Sequence, residues 1–178
     1  GGASFIYAGD SRSEKIFSGQ GPSPLWMQLL GQGITYKPDF LLHGGDIVYT
    51  GTERDLWADF LVKTAPYSAK LPMMLGMGNH DDGPGEGNGA NYNRIFNLPR
   101  SELANGGSGT EDFYYFTYGN AIFVALSTAT FSGGTSKFQQ QAAWLDKILT
   151  QNPKRWRFVY LHHPIYTENL FVNHPPNE

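Results

Sequence analysis

Four short clusters in this chain carry side chains able to bind a metal ion or move a proton. They are Gly9-Asp10-Ser11-Arg12, Gly45-Asp46-Ile47-Val48-Tyr49, Gly78-Asn79-His80-Asp81 and His162-His163. In the third, three different functional groups stand in a row. Asn79 offers a neutral oxygen ligand, His80 a ligand or a proton donor, and Asp81 a ligand or a group that orients the histidine. Asp10 and Asp46 are carboxylates that are costly to bury at the rim of a fold, and a cation offsets that cost. With no cysteine in the chain, disulfides and thiolate sites are excluded, and any metal is held by oxygen and nitrogen.

Such a donor set suits two ions about 3.5–4 Å apart, which acidify a water molecule and clamp a phosphoryl group for in-line displacement. Asp46, on the central of the first three clusters, is placed to bridge them. Asp10 and Tyr49 then complete one ion's shell, and Asn79 and His162 the other's. His80 follows a ligand in the chain and is better suited to protonate the leaving oxygen, with Asp81 holding its tautomer.

Each cluster follows a segment that reads as a buried strand: residues 3–8, 39–43, 71–75 and 157–161. Between the first three, helices are expected from near Pro24 and over 52–69, the second opened by the capping-box pair Thr52 and Asp55. Glycines crowd residues 83–90 and predict a mobile loop, and 91–98 is read as including a helical turn. Two apolar runs, 113–118 and 121–127, flank Gly119-Asn120 as a hairpin with a primed turn. A further helix to about Gln151 is expected behind the capping-box pair Ser136 and Gln139. Strand and helix in alternation imply a parallel sheet, whose ligands gather at the carboxyl ends of its strands. All four clusters sit at such ends.

The bulk properties fit one globular domain over 1–178: 40% hydrophobic residues, 16% charged, and a net charge of −3 with scattered basic residues. No nucleic-acid-binding stripe, membrane-seeking surface or apolar run of bilayer length is evident. His43, mid-strand before Gly44, reads as a satisfied core histidine. His163 is expected on the far side of His162 or supporting it, and the hairpin aromatics read as core. The turn-rich final residues, Asn173 to Glu178, read as a cut end.

Taken in order, Gly-Asp-Ser-Arg, Gly-Asp-Ile-Val-Tyr, Gly-Asn-His-Asp and Val159-Tyr160-Leu161-His162 resemble the first four signature blocks of the calcineurin-like metallophosphoesterases. Tyr49 and the V-x-x-H form of the fourth block are most similar to the purple acid phosphatase branch. The resemblance implies an α/β fold of the αββα sandwich type, here missing its last strands. It further implies two metal ions (Fe, Zn or Mn) and hydrolysis of phosphate mono- or diesters by a metal-bound hydroxide. Asp10 and Tyr49 would bind the first ion, Asp46 would bridge, Asn79 and His162 would bind the second, and His80 would be the acid. A secreted or periplasmic location is also favoured by this likeness. Oligomeric state is left open.

Two departures accompany it. Where the first block usually has His or Gly, this chain has Arg12, a permanent cation that cannot ligate a metal. It is suited either to clamp substrate phosphate or to displace positive charge from the first ion. The fifth block, Gly-His-x-His, is absent, with His174 the nearest stand-in for a substrate-contacting histidine. Both departures keep open a second reading, a catalytically impaired binding or scaffold module of the same family.

Overall fold

A computed structural model of the chain describes residues 2–13, 21–82, 90–99, 107–128 and 134–165. Strands β1 (Phe5–Ala8), β2 (Phe40–His43) and β3 (Met73–Leu75) form one sheet in the order β1-β2-β3, all parallel. Helix α1 (Pro24–Gly33) connects β1 to β2, and α2 (Arg54–Ser68) connects β2 to β3. Pro24 sits in the first turn of α1, where its missing N–H is no loss, and the Ser23 hydroxyl accepts from the Leu25 amide at 3.3 Å. Short helices α3 (Asn79–Asp82) and α4 (Ala90–Ile95) follow β3.

The second sheet holds β4 (Tyr114–Tyr118), β5 (Ala121–Ala125) and β6 (Trp156–Tyr160). β4 and β5 are an antiparallel hairpin with Tyr118 opposite Ala121, and β6 returns parallel to β5 after helix α5 (Gly134–Gln151). Gly119 has φ 56° at the first central position of the hairpin turn, as a primed turn requires.

Alternation along the strands assigns the layers. Phe40 and Leu42 of β2 point at the other sheet and meet Phe123 and Ala125 of β5, whereas Leu41 points back toward Trp26 and Leu30 of α1. On β5, Ile122 and Val124 point outward to Ile148 of α5. The order is therefore helices, sheet, sheet, helix, the expected αββα sandwich. Its centre is aromatic: Phe123 stacks on Phe116 and Phe158 at 5.0 Å each and meets Phe40 edge-on at 5.1 Å. A fully buried phenyl ring contributes about 1.5–3 kcal/mol by leaving water, so this inter-sheet cluster is a principal reason the two sheets dock.

Neither capping box forms as expected. α2 begins at Arg54 with Glu53 as its cap and without a side-chain cap bond. The preceding turn is committed elsewhere. The Gly51 carbonyl accepts from Trp57 Nε1 and Asn91 Nδ2 at 2.8 Å each, and the Gly51 amide donates to the His80 carbonyl at 2.7 Å. Those tethers fix the loop to α4 and to the third cluster, and helical winding starts after them. α5 starts at Gly134, so Ser136 lies inside its first turn. The glycine-rich stretch 83–89 and His174 lie outside the described residues.

Candidate metal centre

β1 and β2 both end in a glycine-bearing bend that leaves an aspartate with positive φ: 55° at Asp10 and 57° at Asp46. Aspartate tolerates this left-handed region better than most residues, but it is still strained and needs support. Backbone bonds between the two bends supply it, from Asp10 N to the Gly45 carbonyl at 2.9 Å and from Arg12 N to the Asp46 carbonyl at 3.1 Å. The third bend presses in so closely that a Cβ on Gly78 would run into the Asp46 carboxylate and amide. Only glycine fits there. β3 is itself pinned from α4 and from the second sheet, since the Leu75 carbonyl accepts from the Tyr92 and Tyr114 hydroxyls at 2.8 and 2.9 Å.

Asp46 is the hub. It is 2% exposed, and both its oxygens are engaged. Oδ1 accepts from the His80 amide at 3.1 Å and lies 3.3 Å from His162 Nε2. Oδ2 accepts from Arg12 Nε at 3.0 Å. Candidate ligand atoms of Asp10, Asp46 and His162 all fall within 4.8 Å of one another, drawn from the ends of β1, β2 and β6. A carboxylate-carboxylate-imidazole cluster of that size fits one divalent ion. His162 Nδ1 is 3.1 Å from the Gly44 carbonyl, a contact that places the proton on Nδ1 and turns the Nε2 lone pair toward the cluster.

His80 lies beside the hub, its Nε2 4.0 Å from Asp46 Oδ2. Its Nδ1 is 2.6 Å from the Tyr49 backbone carbonyl. The expectation that Asp81 holds the His80 tautomer is corrected here: that place belongs to Tyr49's main chain. Asp81 is buried on the opposite side and accepts three backbone amides, Ile47 and Val48 on Oδ1 at 2.8 and 3.1 Å and Gly78 on Oδ2 at 2.8 Å. It ties the second cluster to the third. Burial pushes the Asp81 carboxyl up to about 7, with the Asp46 charge adding to the rise and the three amides opposing it.

The Tyr49 ring packs against the core edge, 5.2 Å from the His80 ring and with the Arg12 guanidinium 5.5 Å from its centroid. Asn79 is exposed at the start of α3, beside the His80 amide. His163 stands outside the Asp46 cluster, its Nδ1 2.7 Å from the Thr128 hydroxyl and its ring 4.8 Å from that of His162. His43 is the core histidine expected. Its Nδ1 accepts from the Gly45 amide at 3.1 Å, which leaves Nε2–H to donate to Ser11 Oγ at 2.9 Å, and Ser11 donates to the Ile47 carbonyl at 3.1 Å. Sequence reasoning missed these supports because most are main-chain amides and carbonyls, which no residue type announces.

Residues 9–177 match the calcineurin-like phosphoesterase family. A relative from Arabidopsis thaliana, called probable inactive purple acid phosphatase 9, is 26% identical over 158 residues, covering 74% of this chain and 24% of that protein. Among solved structures, the purple acid phosphatase PPD1 from yellow lupin seeds superposes with a TM-score of 0.65 at 19% identity, over 94% of this chain and 31% of that one. This chain thus spans about a quarter of the length of the first relative and just under a third of the second. With its matched segment running nearly end to end, the chain belongs to the calcineurin-like phosphoesterase family.

Proposed function

We propose that this domain hydrolyses phosphoric esters in a metal-dependent reaction, with a cation held by Asp10, Asp46 and His162. The observation that carries the reading is the convergence of those three side chains, from three separate strand ends, to within 4.8 Å. An ion bound there would neutralise phosphoryl charge and acidify a water molecule. Tyr49 and Asn79 are the donors a two-ion form would add, with iron, zinc or manganese as the metals. His80 serves as general acid: the Tyr49 carbonyl holds Nδ1–H, so Nε2 is the nitrogen left to deliver a proton to the leaving oxygen.

The test is Asp46→Asn in the full-length protein. Metal content by elemental analysis and turnover of p-nitrophenyl phosphate esters are both expected to collapse. Turnover that survives the change refutes the assignment of Asp46. A second reading, a catalytically impaired module, is favoured by the ion pair between Arg12 and Asp46. Wild-type protein that retains metal but turns over neither mono- nor diesters selects it.

A further inference from the structure

The Arg12 guanidinium engages one of the two oxygens of Asp46, the carboxylate at the centre of the cluster. Here Oδ1 faces His162, within the Asp10-Asp46-His162 cluster, while Oδ2 is taken by Arg12 Nε at 3.0 Å. The arginine is held there from several directions. Its amide donates to the Asp46 carbonyl at 3.1 Å, its backbone pairs with Pro22, and its guanidinium lies over Tyr49 at 5.5 Å from the ring centroid. Tyr49 therefore turns its ring face to a fixed cation.

We infer that Arg12 takes the place of a second metal ion. The chain holds one ion on Asp10, Asp46 and His162, and the guanidinium supplies the second positive charge beside Asp46. This rests on the metal-dependent reading above. Charge balance favours the arrangement, because two divalent ions added to Arg12 would set five positive charges against the two carboxylates Asp10 and Asp46. Arginine cannot lose its proton to relieve that excess. With Nε committed to Asp46, its two terminal nitrogens remain as a fork suited to a phosphate ester's oxygens.

The test is equilibrium dialysis of the full-length protein against Mn²⁺ followed by elemental analysis, on the wild type and on Arg12→Gln. About one ion per chain in the wild type, rising to about two in Arg12→Gln, is expected. Two ions in the wild type overturn the inference while leaving the metal-dependent reading intact. One ion in both proteins also overturns it, since Arg12 would then not be what excludes the second. No ion in the wild type sinks the metal-dependent reading itself. Should Arg12→Gln not fold, the Mn²⁺ electron paramagnetic resonance spectrum of the wild type decides. An isolated six-line signal supports the inference, and an exchange-coupled pair refutes it.

Discussion

Replacing Asp81 separates two roles that a carboxylate beside a catalytic histidine can play. In this fold its two oxygens accept three amides, those of Ile47, Val48 and Gly78, all buried. Asp81→Ala strands three donors, and a buried amide without an acceptor costs about 1–3 kcal/mol, so the loss is expected at roughly 3–6 kcal/mol once water enters part of the gap. Asp81→Asn keeps one oxygen, which can still serve Ile47 and Val48, but its NH₂ then faces the Gly78 N–H. That leaves one stranded donor and a loss of about 1–3 kcal/mol. Urea unfolding at about pH 8, above the carboxyl's own titration near 7, measures both. The expected order is wild type, then Asn, then Ala. The reasoning fails if both variants unfold within about 0.5 kcal/mol of wild type, the usual range for a surface change. It also fails if Asp81→Asn leaves stability alone and moves only the pH-rate profile, because that is the mark of a group serving His80.

Two further outcomes are expected. His80→Ala should retain metal by elemental analysis and lose about 10²–10⁴ in turnover, the usual loss for a general acid; a variant that drops its metal would make His80 a ligand instead. Burial, reinforced by the charge of His162, lowers the His43 imidazole to about 3 from its ordinary 6.5. A depressed histidine stays neutral in the fold while the unfolded chain takes up a proton, so stability is full above about 6.5 and declines as pH falls toward 3, by about 1.4 kcal/mol per pH unit. His43→Gln should flatten that acid slope in unfolding measurements, and an unchanged slope refutes the assignment.

What the sequence made legible follows from where information is stored. Strand ends carrying Asp10, Asp46 and Asn79-His80 are marked by glycine beside or near a polar group after an apolar run, that of His162 by His-His-Pro after an apolar run, and the hairpin by Gly119-Asn120. Helix starts were less legible at α2, because Gly51 is bound by Trp57, Asn91 and His80, partners that a local pattern does not contain. Asp81 was misassigned for a related reason. Its neighbour in the chain is His80, but its partners in space are amides more than thirty positions away as well as its own bend. The pairing of Arg12 with Asp46, thirty-four positions apart, is likewise set by the packed bends and not by any local pattern.

His162 reaches the Gly44 carbonyl and the Asp46 carboxylate across 118 and 116 positions of chain. It stands at the end of the second sheet, whereas its partners belong to the first. Contacts so distant in sequence close only after the intervening loops have surrendered their freedom, which makes them late in a folding reaction. A spectroscopic reporter at His162 would thus register the final docking of one sheet on the other, and not the formation of either alone. Any cation that needs both His162 and Asp46 binds only the docked form, and by mass action its concentration sets how long the sandwich stays closed.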